Sequence, residues 1–411
     1  MTASGHAGGS PATMGELRRA GGATGTVLRL PRAGGGFEDY TPGAAGSFDP
    51  PAGPPRSRVC FAAAHVVRDP LADVDPTAAA ALDWEATLAY RRHLWRYGFA
   101  VAEAMDTAQR GAGLDWAATS ELIRRTSAEA RAVGGAVACG AGTDQLAPDR
   151  EPGLDDVRAA YAEQCALVED AGSPVILMAS RALARCARGP DDYRAVYGEL
   201  LGQLREPAIV HWLGEPFDPA LRGYWGAVEL DEACEVLLSI VTEHADRVDG
   251  VKVSLLDAGR EVALRRRFPP GVRMYTGDDF DYPWLIRGDE HGHSDALLGI
   301  FDAIAPAAAA ALAALDAGDV GRYDEILAPT VALARHVFAA PTYHYKTGIV
   351  FLAYLNGHQD HFLMVGGQEG ARSTLHLAEL FVLADEAGLL RDPELAVARM
   401  RRVLALAGIE G

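Results

Sequence analysis

The sequence lacks the paired cysteines that disulfide frameworks and thiolate metal sites use. It has five cysteines, and no two of them stand in a Cys-x-x-Cys spacing; they are Cys60, Cys139, Cys165, Cys186 and Cys234. Single, scattered thiols are typical of a reducing compartment and disfavour a zinc site built from thiolates. We therefore expect a cytoplasmic protein and no thiolate-bound zinc.

Basic side chains are few relative to acidic ones, and long apolar runs are missing. The chain has 38 basic and 56 acidic side chains, which gives a formal charge of -18. Such a surface repels phosphate backbones, so nucleic acid is not an expected partner. No apolar run reaches the length that a membrane span needs, and the Gly/Ala/Ser-rich beginning has no apolar signal core. We expect a protein that neither enters a membrane nor is secreted.

A glycine-rich phosphate turn is also missing where a dinucleotide-binding fold would place it. The first apolar run of the folded region leads through Ala62-Ala63-Ala64 into His65, without a glycine. An open sheet that binds a dinucleotide usually carries such a turn after its first strand. This disfavours a dinucleotide-binding fold.

What the sequence does contain is a regular alternation of short apolar runs and longer helical segments. Eight such runs lie at 59–64, 99–105, 135–139, 174–178, 208–211, 250–253, 273–276 and 296–301, and the helical segments between them include 84–97, 116–133, 154–171, 191–204 and 232–244. Asp83, Asp115 and Asp231 precede three of these helices as candidate N-caps. Short strands that alternate with crossover helices predict a parallel sheet, and eight units predict a closed (β/α)8 (TIM) barrel.

The alternation divides the chain into three parts. Residues 1–57 form an N-terminal arm, whose first two dozen Gly-, Ala- and Ser-rich residues we expect to be disordered. Residues 58–305 form the barrel. Residues 306–411 form a C-terminal helical extension, with helices predicted at 307–317, 320–338, 342–355, 371–386 and 393–407.

Lys252 is the sharpest candidate for chemistry, because barrel enzymes carry their catalytic residues at the C-terminal ends of the strands. In Gly250-Val251-Lys252-Val253-Ser254, side chains alternate between the two faces of a strand. The two valines suit the outer face, which packs against helices, so Lys252 is expected to point into the barrel. Poor solvation there lowers the pKa of an amine and frees it for attack on a carbonyl. The alternative is a structural lysine that is paired with an interior carboxylate.

The same segment resembles the G-[IV]-K-x-[AS] strand of the dihydrodipicolinate synthase and N-acetylneuraminate lyase-type aldolases. Tyr275-Thr276-Gly277-Asp278-Asp279 is similar to the S-G-D-D turn of that family, and 292–299 is similar to its eighth strand. The resemblance runs from about residue 59 to the C-terminus, with a long arm that suggests a divergent, uncharacterised branch. It implies that Lys252, on the sixth strand, forms a Schiff base with substrate.

Two departures from the family concern proton transfer and substrate choice. The family's G-T-T-G-E loop aligns with Asp106-Thr107-Ala108-Gln109-Arg110, so one threonine is kept as Thr107 and the other is Ala108. His211 stands where the family has its catalytic tyrosine, and imidazole transfers protons near neutral pH. Without the threonine pair, the substrate need not be pyruvate-like.

The remaining candidates stand mostly at strand ends. His65, Asp106, Ser254, Asp278 and Asp279 are expected to bind substrate, although His65 is equally compatible with a structural role. Glu103, on the second strand, points either outwards or towards Lys252. His291 and His293 form a loop cluster with Glu290, and the segment 343–346 begins a helix that either reaches the barrel mouth or only caps it.

The sequence therefore predicts a class I lyase, aldolase or dehydratase that needs no cofactor and no metal. Lys252 would condense with a small keto acid, sugar or polyol-derived carbonyl compound, while His211 moves the proton and Thr107 assists. One alternative is a metal-dependent isomerase, aldolase or hydrolase that uses His65, Glu103, His211 and an aspartate. Another is a barrel that binds a metabolite without catalysis. By resemblance, we expect a homo-oligomer, a dimer or a tetramer.

Overall fold

The chain folds into one closed, eight-stranded parallel barrel with an N-terminal arm and a C-terminal helical extension. The structure is a computed structural model and describes residues 25–75, 80–147, 149 and 151–410. The arm contributes strands β1 (Leu28–Pro31) and β2 (Phe37–Tyr40). The barrel strands are β3 (Cys60–Ala63), β4 (Ala100–Glu103), β5 (Val137–Ala141), β6 (Val175–Leu177), β7 (Ala208–Leu213), β8 (Val248–Ser254), β9 (Arg273–Thr276) and β10 (Asp295–Leu298).

The helices alternate with the barrel strands and then continue alone to the C-terminus. They are α1 (Trp84–Arg96), α2 (Trp116–Val133), α3 (Leu154–Asp170), α4 (Arg181–Cys186), α5 (Pro190–Gln203), α6 (Leu230–Glu243), α7 (Ala258–Arg265), α8 (Tyr282–Arg287), α9 (Ile300–Asp316), α10 (Val320–Val337), α11 (Tyr345–Leu355), α12 (Thr374–Glu386) and α13 (Pro393–Leu406). The barrel closes where β10 pairs in parallel with β3. The predicted barrel is therefore confirmed.

Along a barrel strand, successive side chains face alternately into the barrel and towards the surrounding helices. Ile209 and Tyr275 belong to a small cluster that fills the barrel interior. Val251 and Val253 belong instead to the large core between strands and helices. A Cβ atom on Gly250 would lie 2.6 Å from the Tyr275 ring, so Gly250 faces inwards. Residue 252, two positions further along the strand, faces inwards as well.

Local signals fix most helix starts, with two differences from the sequence prediction. Asp83 and Asp115 cap α1 and α2 by accepting backbone N–H bonds of 3.0 Å and 2.8 Å. Asp231 does not cap α6, because the helix already begins at Leu230 after Glu229, and Asp231 lies in its first turn, where a negative charge suits the helix dipole. The eighth apolar run is only partly a strand, since α9 begins at Ile300.

The arm packs on the C-terminal extension of the same chain. The Tyr40 hydroxyl donates to Asp385 over 2.6 Å, and the backbone N–H of Gly43 donates to the same carboxylate. The disorder expected for the first two dozen residues falls on residues 1–24, outside the described part of the chain. Helix α9 crosses residue 305, and the division of the chain at that residue stays a prediction. Within the described ranges, no helix has the length and apolar character to cross a bilayer.

Candidate active site at the barrel mouth

Lys252 lies on β8, inside the barrel and close to its C-terminal end. Only 7% of its surface is exposed. Its strand neighbours in the sheet are His211 on β7 and Tyr275 on β9. Among the described residues, no carboxylate forms an ion pair with its amine. The amine is therefore buried without a direct counterion, which is the situation that favours a neutral lysine.

His211 is the register partner of Lys252 on the adjacent strand. Its Nε2 lies 3.2 Å from the Ser254 hydroxyl, and its side chain is fully buried. The buried Nδ1 has no hydrogen-bond partner in the part of the chain that the structure describes. Burial, and then the charge of Lys252, lower the pKa of His211 well below its usual value. The imidazole is therefore neutral near pH 7, with a ring nitrogen able to accept a proton.

Gly277, just after β9, allows the polar side chains of β8 to converge. A Cβ atom at this position would lie 2.2 Å from the Ser254 hydroxyl and 3.0 Å from Cε of Lys252. Any side chain would displace both groups. The glycine of the motif is therefore required by the close approach of β8.

Two carboxylates act on Lys252 from a distance. Burial lowers the pKa of Lys252, and the negative charges of Asp106 and Asp279 oppose that shift. Asp279 is itself buried, which raises its pKa, and it accepts the backbone N–H of Ile300 over 2.9 Å. A buried carboxyl with a raised pKa carries a weaker charge near neutral pH, so it leaves Lys252 closer to its neutral form.

Thr107 meets a side chain that comes from the C-terminal extension. Its hydroxyl lies 2.8 Å from the hydroxyl of Tyr345, at the start of α11. Burial, followed by the charge of Asp106, raises the pKa of Tyr345 well above its usual value, so the phenol keeps its proton. The two hydroxyls form a buried hydrogen-bonded pair beside Asp106. This answers the question that the sequence left open, because α11 does reach the barrel mouth.

A cavity of about 380 Å³ opens at this end of the barrel. Its walls come from the ends of β4 to β7 and include Asp106, Arg181, Leu213 and Asp218. An ion pair of 2.5 Å joins Arg181 to Asp218. A cavity of this size accommodates a small metabolite. Lys252 does not line it, but Asp106, which does, acts electrostatically on the Lys252 amine.

Several of the other predicted residues have different surroundings. Nδ1 of His65 donates to Asp302 over 2.9 Å, and Asp302 lines a separate cavity of about 260 Å³ near the arm. Asp278 accepts the backbone N–H groups of Phe280 and Asp281 and so shapes the loop after β9. His291, Glu290 and His293 lie in the loop before β10, at the end of the barrel opposite Lys252.

The ligand set of the metal-dependent alternative does not assemble. Glu103 forms a two-pronged ion pair with the fully buried Arg91, over 2.8 Å and 2.9 Å, and accepts the Thr126 hydroxyl. It therefore faces the helices and is not a partner for Lys252. No group of three or more His, Cys, Asp or Glu side chains in the described ranges is arranged to hold a metal ion.

The sequence contains a signal for one more candidate residue, Lys346, in the rarity of lysine. Of the 38 basic side chains, 36 are arginines and only two are lysines, Lys252 and Lys346. Lysine is ordinarily a surface residue, yet both lysines are buried. Asp106 acts on the amine of each. The rarity of lysine in this chain singles out Lys346 together with Lys252.

A closed parallel barrel with a helical extension over its mouth is the fold of the dihydrodipicolinate synthases. The chain itself belongs to the family described as Protein of unknown function (DUF993), whose model matches residues 28–409. The divergent, uncharacterised branch that the sequence predicts is thereby confirmed. A search of curated proteins finds no significant match.

Solved structures of the dihydrodipicolinate synthase type share this fold at low identity. YagE, a prophage protein of that family from E. coli K12 in complex with pyruvate, superposes with a TM-score of 0.62, at 13% identity over 81% of this chain and 99% of that one. The dihydrodipicolinate synthase of Aquifex aeolicus gives 0.59, at 12% identity over 81% and 99%. The enzyme of Oceanobacillus iheyensis gives 0.58, at 13% identity over 79% and 95%. The predicted resemblance is confirmed for the fold.

Proposed function

We propose that this protein is a class I lyase, an aldolase or dehydratase, that forms a Schiff base between Lys252 and a small keto acid, sugar or polyol-derived carbonyl compound. One observation carries the proposal: the Lys252 amine is buried at the active end of the barrel with no ion pair among the described residues. A charged lysine in that position lacks a counterion, whereas a neutral one is a nucleophile. The proposal includes the cytoplasmic location and the homo-oligomeric state that the sequence predicts.

The expected reaction begins with attack of the neutral Lys252 amine on the substrate carbonyl carbon. Loss of water from the resulting carbinolamine leaves a positively charged iminium, which withdraws electrons from the neighbouring carbon. His211, neutral and adjacent to Lys252, takes a proton from that carbon or returns one to it. In the proposed reaction, Thr107 assists by exchanging protons with substrate groups near Asp106, which its hydrogen bond to the Tyr345 hydroxyl supports.

The decisive experiment is reductive trapping with borohydride, using pyruvate, hydroxypyruvate and dihydroxyacetone as donor compounds. Borohydride reduces an imine to a stable secondary amine, which mass spectrometry locates. Because the chain has only two lysines, the assignment is unambiguous: trypsin releases an adducted Lys252 within residues 248–260 and an adducted Lys346 within residues 336–372. The proposal requires the adduct in the first peptide.

We predict that activity does not depend on a transition metal. The iminium at Lys252 supplies the electron sink that a Lewis acid supplies in metal-dependent aldolases, and Glu103 is already committed to Arg91. Elemental analysis should find less than stoichiometric zinc, manganese or iron, and incubation with EDTA should leave turnover unchanged. One equivalent of metal per chain, with turnover lost on chelation and restored by that metal, would support the metal-dependent alternative instead.

A further inference from the structure

The second lysine, Lys346, is a buried basic side chain, and the other buried basic side chains of this chain, apart from Lys252, are arginines. Arginine supplies 36 of the 38 basic side chains, including the buried cations Arg91, Arg110 and Arg399. Burial alone therefore does not select lysine in this protein. What distinguishes lysine from arginine is that its amine loses a proton under ordinary conditions, whereas a guanidinium does not. A lysine rather than an arginine at position 346 is consistent with a side chain that must exchange a proton.

The Lys346 amine is buried and has few partners. It lies in the first turn of α11 with 8% of its surface exposed. Its Nζ donates to the carbonyl oxygen of Tyr343 over 3.1 Å and lies 4.8 Å from the centre of the Tyr345 ring. It forms no ion pair with any carboxylate in the described ranges. An ammonium has three N–H donors, so two of them lack a partner there.

The charged groups that face Lys346 come from three different elements and all line the barrel-mouth cavity. They are Asp106 from the end of β4, Arg181 from α4 and Asp218 from the loop after β7. On its own segment, Tyr345 contacts Thr107, and His344 packs against Tyr343. Lys346 therefore lies on the C-terminal extension and within electrostatic reach of three residues that line the cavity, whereas Lys252 lies in the barrel wall. Neither lysine is itself part of the cavity lining.

We propose that Lys346 is a second catalytic residue, a general base that takes the proton from a substrate hydroxyl while Lys252 holds the carbonyl carbon, two carbons away from the hydroxyl-bearing carbon, as an iminium. The inference rests on the proposed function and makes the substrate a hydroxylated carbonyl compound, or an aldehyde together with a keto donor in the reverse direction. Its place in the reaction differs from that of His211, which serves the carbon next to the iminium.

The step is balanced without any further reactant. In cleavage, the hydroxyl proton moves to the neutral amine of Lys346, the carbon–carbon bond breaks, and its electron pair neutralises the iminium to give an enamine and a free aldehyde. The enamine carbon then takes a proton from solvent by way of His211, and the Lys346 ammonium returns its proton to solvent. Water hydrolyses the iminium and releases the keto product and Lys252.

The electrostatic surroundings are compatible with this role. Burial lowers the pKa of Lys346, Asp106 opposes that shift, and Arg181 adds to it. A base must be neutral to accept a proton, so the rate of cleavage is expected to rise with pH as the Lys346 ammonium loses its proton. In condensation the ammonium donates the proton, so that rate is expected to fall over the same pH range. Exchange of protons at the carbon next to the iminium does not use Lys346, and its pH dependence is expected to be different.

Two half-reactions separate the roles. The first half-reaction uses the donor compound that borohydride traps on Lys252. Proton NMR in D2O measures how fast its carbon-bound protons exchange, and this rate depends on imine formation and on proton transfer by His211. Condensation of the same donor with glyceraldehyde also requires proton transfer at the aldehyde oxygen, and so reports Lys346. We expect Lys346→Arg and Lys346→Met to keep donor exchange within about twofold and to lose about a hundredfold or more in condensation. His344→Ala, in the same turn, is the matched control and should keep both rates.

The arginine variant also distinguishes proton transfer from simple charge. If Lys346 only binds an anionic group of the substrate, Lys346→Arg keeps condensation near the wild-type rate, and the inference is wrong. If neither variant gives a wild-type circular dichroism spectrum and thermal transition, Lys346→Ala with added methylamine replaces them. Because condensation runs in the reverse direction and the aldehyde oxygen receives a proton, recovery of condensation that grows with the methylammonium concentration supports the inference. Failure of any amine to restore condensation contradicts it.

The proposed function and this inference fail in distinguishable ways. A wild-type protein that gives no adduct on Lys252 with any of the three donors contradicts the proposed function, and the inference with it. An adduct on Lys252 together with unchanged condensation in Lys346→Arg contradicts the inference alone. An adduct on Lys346 would make that residue the nucleophile and contradict the role proposed for it.

Discussion

Lys252→Arg is expected to abolish both the borohydride adduct and the turnover, because a guanidinium stays protonated and cannot attack a carbonyl. Lys252→Met is expected to have the same effect, since it removes the amine while filling a similar volume. Turnover of a trapped donor and mass spectrometry of residues 248–260 measure the two losses. Lys346 remains in both variants, so the absence of an adduct there shows that trapping is not a general property of buried amines.

The methionine variant also tests whether Lys252 has a structural role. Glu103 forms its ion pair with Arg91 and not with Lys252. Among the described residues, no carboxylate forms an ion pair with Lys252. Removing the buried amine should therefore leave the temperature of the thermal transition unchanged or raise it. A clearly lower transition temperature in Lys252→Met, together with no adduct in the wild-type protein, would show that the lysine stabilises the barrel and that the Schiff-base mechanism is wrong.

His211→Ala is expected to lower kcat about a hundredfold or more, the range usual for the loss of a general acid or base. Imine formation needs the amine of Lys252 but not the imidazole, so borohydride should still give the Lys252 adduct in this variant. Exchange of the donor's carbon-bound protons in D2O should fall in parallel with kcat. This pattern is the opposite of that expected for the Lys346 variants.

The control for His211 is a second buried histidine outside the mouth. His93, on α1, is also buried and also has its pKa lowered, chiefly by desolvation. His93→Ala therefore reproduces the loss of a buried imidazole without touching the proposed site, and its kcat should stay near that of the wild type once stability is matched. Near wild-type turnover in His211→Ala would remove His211 from the mechanism.

The strands could be predicted from the sequence because their signals, short runs of apolar residues, are local. The eight apolar runs appear as barrel strands, and the alternation of Val251 and Val253 with Lys252 gave the correct faces. The prediction was wrong at the start of α6. Asp231 is a good N-cap by residue type, but the helix begins two residues earlier than predicted, at Leu230, and Glu229 is in the cap position.

The direction of Glu103 was not decided by the sequence, because it lies at the end of β4 and both faces of a barrel strand are buried. Its orientation depends on Arg91 and Thr126, which come from two helices packed outside the strand. Those contacts exist only once the helices are placed. An inward Glu103 would have paired with Lys252 and favoured the structural role, so this one orientation matters to the chemistry.

The barrel, the order of its strands and the inward direction of Lys252 can be predicted from the sequence, because periodicity and strand order are properties of short segments. The surroundings of that lysine depend on how distant segments pack together. Thr107 and Tyr345 are 238 residues apart, and their contact depends on how α11 packs over the barrel mouth. The same packing buries Lys346 beside the cavity. Contacts of this kind arise from the docking of the extension on the barrel, which no local pattern encodes.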